Sequence, residues 1–469
     1  MYSRLPVWTA ILAVLLAVLP TAFSRPTRRA EDPTTDPFYQ PPAGFESQSP
    51  GTILRERQVN ASFFGFIPDP VDAYQLLYRT TAVNGSAIAT ATTIFKPKSP
   101  KTDRFVSFHT AYDSSSPTCN PSYQYQLGVE QTGLISSVER LIIQVYLEKG
   151  YIVSSSDYEG PDAAFAAGRI EGMGVLDSMR AVSNYHEKLG LSSDSPAIVG
   201  TGYSGGAIAT GWAAALHASY APELNVKGWA QGGTPSNLTG TLLLLDDSPF
   251  SGFIPPAIDG LSKPSAYGAE VTPLIERIIT EKGREALEFA STHCAVADLG
   301  NFFSQSLFST EFQTLGPALL DDPTIQSVLN DNILGTKSDE TPTVPVFVYH
   351  ATYDEIIPYD DADRMVTSWC GNGASVAFTT YKSGGHATTE VIALPAVVEF
   401  VEAAFNGTVE EGCSEDTELD SLLDPLALGV SLEPLLVALL DALDVAGEKD
   451  ANVQRDVRAW ETTVPLQGV

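Results

Sequence analysis

The chain has 469 residues, of which 43% are hydrophobic and 18% charged, enough to bury a large core and to exclude disorder as its resting condition. Its 57 acidic against 27 basic side chains leave a formal charge of −30. That charge excludes nucleic acid and anionic membrane surfaces as partners, because both are polyanions.

Residues 1–24 are laid out as a cleaved secretory signal: Arg4, a mostly apolar run over 7–19, then the small residues Ala22 and Ser24. The run is shorter than the roughly 20 residues a bilayer span requires. A soluble, secreted, extracellular protein is therefore expected rather than an anchored one. Arg28-Arg29 reads either as a dibasic processing site or as solvated charge. Residues 25–51, rich in Pro, Thr, Asp, Ser and Gly, read as an extended lead-in without a core of its own.

Residues 52–233 and 344–413 are expected to form the two parts of one core. β-rich runs at 104–109, 151–155, 196–200, 227–231, 344–349 and 376–381 alternate with helical patterns at 136–149, 176–189, 207–219 and 394–405. That alternation predicts an α/β fold, a mainly parallel sheet flanked by helices. Between the two parts, 234–343 is far longer than an ordinary connection. Its first portion, 248–267, is rich in Pro, Gly and Ser, and 272–296 reads as helix. A mostly helical lid or cap is the expectation, with a surface elaboration of no binding role as the alternative. The acids Glu410, Glu411, Glu415, Asp416, Glu418 and Asp420 and the amphipathic run 432–445 make 414–469 a solvated acidic extension with one packed helix.

Four cysteines, Cys119, Cys294, Cys370 and Cys413, imply two disulfides in an exported chain, and three connectivities remain open. Asn60, Asn84, Asn237 and Asn406 each begin an N-x-S/T triplet and are candidates for glycosylation.

The chemistry begins at Gly202-Tyr203-Ser204-Gly205-Gly206, between the run 196–200 and the helical pattern from Ala207. G-x-S-x-G in that strand–turn–helix setting lifts a serine to the carboxyl edge of the sheet, beside a helix N-terminus that favours an oxyanion. A base and an acid should follow in the order Asp or Glu, then His. His217 falls in the helix leaving the turn, His293 in the insertion, and His350 closes a β-run as a buried, hydrogen-bonded residue. His386, in Ser383-Gly384-Gly385-His386, is placed on a mobile Gly-rich loop suited to a catalytic base. Asp354 follows the run 344–349 and can orient that imidazole, although Glu355, Asp360, Asp361 and Asp363 lie close by in sequence.

These residues, together with Asp354-Glu355-Ile356-Ile357-Pro358-Tyr359, Gly385-His386, Ser156-Asp157-Tyr158-Glu159-Gly160-Pro161 and Ala167-Gly168-Arg169, resemble the fungal secretory lipases of the Candida antarctica lipase A type, over about residues 38–413. The resemblance implies an α/β-hydrolase fold and a Ser204, Asp354, His386 triad. It also implies an oxyanion hole from the backbone N–H groups of Gly205 and Asp113, a lid formed by the insertion, and the pairs Cys119–Cys294 and Cys370–Cys413. The acidic segment past Cys413 departs from the family pattern.

The expected function is hydrolysis of carboxylic esters, of the triacylglycerol lipase kind, through a serine acyl-enzyme, on medium or long acyl chains. An acyl ester or lipid is the partner, with contact to a lipid–water interface through the lid, and no obligate protein partner is implied. No cofactor or metal is expected, since H-E-x-x-H, C-x-x-C and G-x-G-x-x-G are absent in a fitting context. Two alternatives stay open: an esterase for a small acylated secondary metabolite, and a catalytically silent hydrolase fold used for binding.

Overall fold

A computed structural model describes residues 30–419; the signal at 1–24, the Arg28-Arg29 pair and the run 432–445 lie outside the described residues. One sheet contains β1 (Ile53–Val59), β2 (Asp72–Thr81), β3 (Ala87–Lys96), β4 (Arg104–His109), β5 (Ile152–Ser156), β6 (Ala197–Tyr203), β7 (Val226–Gly232), β8 (Val346–Ala351), β9 (Val376–Tyr381) and β10 (Ser414–Glu418). Their spatial order is 1-2-3-5-4-6-7-8-9-10. From β5 to β10 every neighbouring pair is parallel, and β1, β2 and β3 add an antiparallel edge through the β3–β5 pair.

Helices cover both faces, which is why the parallel strands read as uninterrupted buried runs, wholly so in β5 and β8. In chain order, α1 (Leu134–Glu148), α2 (Gly168–Asn184) and α3 (Gly205–Tyr220) belong to the first part of the core. The insertion holds α4 (Leu238–Leu245), α5 (Ile254–Leu261), α6 (Gly268–Ile278), α7 (Glu281–Ala290), α8 (Ala295–Asn301) and α9 (Pro323–Asp331), and the second part holds α10 (Tyr359–Gly371) and α11 (His386–Asn406). Strand alternation divides the core. Phe105, Ile152 and Ile198 pack with Met179 of α2 and Trp212 of α3, whereas their neighbours Val106, Val153 and Val199 pack with Tyr146 of α1 and Val401 of α11.

Several expectations shift. Of the three antiparallel strands, β2 and β3 escape a reading by apolar alternation because Gln75, Thr80, Thr92 and Thr93 occupy buried positions in them. The lead-in is not free of structure: Phe38 packs with Leu77, Ala89 and Ala91 against the first strands. The helix expected over 272–296 is broken into α6, α7 and α8. Thr280 starts a new helix by accepting the Gly283 N–H at 3.1 Å, and Cys294 caps α8 while bonded to Cys119. The acidic segment does not begin outside the fold at 414, because Ser414–Glu418 is a fully exposed edge strand paired with β9. A ladder of backbone bonds needs no apolar side chains there, and acids on an edge discourage further pairing.

Both disulfides are formed and no described cysteine is free. Cys370–Cys413 ties α10 to the segment entering β10, and Cys119–Cys294 ties the loop after β4 to the insertion. The motif Ala167-Gly168-Arg169 fastens the insertion from the other side. The Gly168 N–H donates to Asn332 Oδ1 at 2.9 Å, and Arg169 pairs with Asp331 at 2.8 Å and Glu340 at 2.9 Å.

Candidate active site

Ser204 sits between β6 and α3 with φ 53° and ψ −123°, a strained conformation for a residue bearing a Cβ. The turn is tight enough that a Cβ on Gly206 would lie 1.9 Å from the carbonyl oxygen of His109. The sequence therefore spends glycines on either side of the serine, and the strain aims Oγ out of the sheet edge. Ser204 Oγ lies 2.7 Å from Nε2 of His386, and Nδ1 of His386 lies 2.7 Å from Oδ2 of Asp354. The structure thus brings together the three residues that sequence reasoning selected from 182 positions of chain separation.

Asp354 leaves the end of β8 with both oxygens occupied. Oδ1 accepts the N–H groups of Ile356 at 2.9 Å and Ile357 at 2.8 Å, while Oδ2 faces His386 and also His350 Nε2 at 3.2 Å. Burial pushes this carboxyl up, but the His386 and His350 imidazoles outweigh it and hold Asp354 well below the usual carboxylate range. Asp354 is thereby kept ionised beside the imidazole.

His386 is not on a loop, as expected from its glycines, but is the first residue of α11. That helix begins eight residues ahead of the predicted 394–405 and runs through Pro395, a residue that reads more readily as a helix start than as an interior position. The other histidines are elsewhere engaged. His217 bonds the Leu224 carbonyl at 3.3 Å, and His293 stacks on Phe289 at 3.8 Å. His350 is buried as expected and bonds the Ile357 carbonyl at 3.2 Å, but its contact with Asp354 was not legible in the sequence. Among the neighbouring acids, Asp361 pairs with Arg364 and accepts from Asn237 at 3.1 Å, whereas Glu355 accepts the His386 N–H at 3.0 Å.

Asp113 and Gly205 line the same pocket as Ser204. Gly205 opens α3, where an N–H has no intrahelical acceptor, and Asp113 has φ 45°, so the loop after β4 turns sharply at the pocket wall. The rest of the pocket is mostly apolar, with Ile208, Leu242, Leu261 and Ile356 among its walls. Leu242 and Leu261 also line a second apolar cavity, enclosed by α4, α5, α6, α7 and α9. Among the described residues, no cluster of His, Cys, Asp or Glu is arranged to hold a metal ion, and no helix is long and apolar enough to cross a membrane.

Sequence reasoning named Asp113, Asp157 and Glu159 but not their burial, and it missed Glu139, Glu171 and Glu390 altogether. Burial pushes the carboxyls of Asp113, Asp157 and Glu390 each up to about 7, and those of Glu139, Glu159 and Glu171 well above their ordinary value. Glu139 accepts the Ala111 N–H at 2.6 Å and Asp157 accepts the Ser122 N–H at 2.8 Å, so they also brace the loop carrying Asp113. A folded-state value raised from about 4 to about 7 means that the folded chain holds more protons than the unfolded chain across that window. The contribution of these groups to stability should therefore be full below pH 4, fall as pH rises to 7, and level off above it, by on the order of a few kcal/mol per group. Thermal unfolding followed from pH 4 to 8 checks this; a midpoint that rises toward pH 7 contradicts it.

Of the four glycosylation triplets, Asn60, Asn84 and Asn406 are exposed. Asn237 is half-buried and engaged as the cap of α4, accepting the Thr239 N–H at 3.2 Å while donating to Asp361.

The sequence model of the family described as secretory lipase matches residues 125–412. The secreted triacylglycerol lipase LIP1 of Malassezia furfur is 43% identical over 433 residues, covering 92% of this chain and 87% of that protein. The same organism's secreted triacylglycerol lipase LIP2 is 38% identical, covering 92% and 94%. The crystal structure of Candida antarctica lipase A in its closed state superposes with a TM-score of 0.79 at 31% identity, over 87% of this chain and 96% of that one.

Proposed function

This chain belongs to the secretory lipase family, and we propose that it cleaves acyl esters at Ser204 through a covalent acyl-enzyme. It is a secreted lipase, an ester hydrolase of the α/β-hydrolase fold. The observation that carries the proposed mechanism is the continuous line of hydrogen bonds from Ser204 Oγ through His386 to Asp354 at the floor of an apolar pocket.

Ser204 Oγ attacks the acyl carbonyl as its proton passes to His386 Nε2, and Asp354 stabilises the resulting imidazolium. The N–H groups of Gly205 and Asp113 take the oxyanion. Collapse expels the alcohol with the proton from His386, and a water activated by the same imidazole releases the acid. Neither step calls for a metal or a cofactor. Labelling by a p-nitrophenyl phosphonate tests the assignment: one equivalent should attach at Ser204, and attachment elsewhere refutes it.

Helices α4–α9 act in this reading as the lid, and the second cavity receives the acyl chain beyond Leu242 and Leu261. Each buried CH₂ contributes about 0.8 kcal/mol, or roughly fourfold in kcat/KM. Specificity should therefore climb from acetate through medium-chain p-nitrophenyl esters until the cavity is filled. Highest activity on acetate, falling with length, rejects the lipid reading in favour of a small-ester substrate. Leu243, Leu244 and Phe303, large apolar side chains exposed on the insertion, support contact of this face with a lipid–water interface.

A further inference from the structure

His386 is fixed by its backbone as well as by its ring. A helix start leaves N–H groups without intrahelical acceptors, and a side chain at the cap usually satisfies one of them. Here the cap is Gly385, which has no side chain to offer, and its own N–H donates to Thr388 Oγ1 at 2.8 Å. The His386 N–H instead donates to Glu355 Oε2 at 3.0 Å. A Cβ at Gly385 would lie 2.4 Å from that same oxygen, so the glycine makes room for the carboxylate to reach the helix end. On the carbonyl side, the Tyr203 hydroxyl donates to His386 O at 2.5 Å, and the Tyr203 ring lies 5.0 Å from the imidazole.

Placing a base at the first position of a 21-residue helix has an electrostatic cost, since the amide dipoles put roughly half a positive charge there and disfavour an imidazolium. Resting on the Ser204, His386, Asp354 reading, we propose that Glu355 is a positioning residue, whose carboxylate fixes the His386 backbone and offsets the positive end of α11 while the imidazole carries a proton. Asp354 and Glu355 face His386 from the loop after β8, with His350 behind Asp354. Asp113 faces it from the loop after β4, Tyr203 from the end of β6, and Glu390 from its own helix with Glu139 of α1 behind it. Burial raises the proton affinity of Asp113 and Glu390, whereas Asp354 and Glu355 contact His386 directly, one at the ring and one at the backbone N–H.

Glu355→Gln keeps the shape and the hydrogen bond and removes the charge; Glu355→Ala removes both. In the full-length protein, with active sites counted by phosphonate titration, Glu355→Gln should lower kcat per active site about two- to fivefold at unchanged KM. The acid limb of kcat/KM should move down by about 0.2–0.7 pH, because a base without the nearby carboxylate is harder to protonate. Glu355→Ala should lose more. A Glu355→Gln profile that superimposes on that of the unsubstituted protein, or a loss fully accounted for by fewer titratable sites, overturns the proposal. Failure of the underlying reading has a separate signature, namely turnover retained by Ser204→Ala.

Discussion

Ser204→Ala should lower kcat on a p-nitrophenyl ester by on the order of 10⁶-fold while leaving the unfolding midpoint nearly unchanged. The hydroxyl is the group that forms the acyl-enzyme, and its removal leaves His386 Nε2 without the oxygen it faces. The Cβ and the strained turn persist in alanine, so the fold is not relieved or disturbed. Ser204→Gly should be equally inactive and more stable by about 1 kcal/mol, since φ 53° no longer meets a Cβ. His386→Ala should be comparably severe, because proton transfer and nucleophile act as one unit. His217→Ala and His293→Ala, whose rings face Leu224 and Phe289, should keep near-normal turnover. Substantial hydrolysis by either Ser204 variant removes the proposed mechanism, whatever the fold similarity.

Asp354→Asn should lower kcat by about 10⁴-fold. The amide preserves size, but it cannot stabilise an imidazolium, and its NH₂ group can face His386 Nδ1 only if the ring adopts the wrong tautomer. Asn can still accept from Ile356 and Ile357 through its carbonyl, so the turn after β8 should survive. His350→Ala should cost less, because His350 touches Asp354 and not Ser204. In the unsubstituted protein, Asp354 is held well below the usual range, so the acid limb of the pH–rate profile should report His386 and not this carboxyl. Stability drawn from the depressed Asp354 is present above its unfolded value, near 4, and is lost only as pH falls below it. A measured kcat for Asp354→Asn within tenfold of the unsubstituted protein assigns the orienting role to another acid, with Glu355 the nearest.

Local pattern carried much of this result. Six of the seven parallel strands could be read because burial on both faces demands largely uninterrupted runs of apolar or small residues, as in β5 and β8. Ser204 could be read because its turn excludes side chains on either side, leaving a glycine signature that few other arrangements require. Asp354 and His386 followed from chain order and the strand ends, and the family resemblance set Asp354 apart from Glu355 and Asp361. What sequence determined, then, are features imposed by neighbours within a few residues of one another.

Tertiary structure decided the rest, because the forces concerned act between residues far apart in the chain. Thr92 and Thr93 are strand residues because β2 and β5 flank them, not because they alternate with apolar neighbours. Ser414–Glu418 becomes a strand because β9 offers a free edge and Cys370–Cys413 delivers the chain to it. His386 begins a helix because Glu355, 31 residues earlier, supplies the acceptor that Gly385 lacks. The acids Glu139, Glu171 and Glu390 carry no signal of burial in the sequence, and only their enclosure within the fold turns them into buried carboxyls with raised proton affinity.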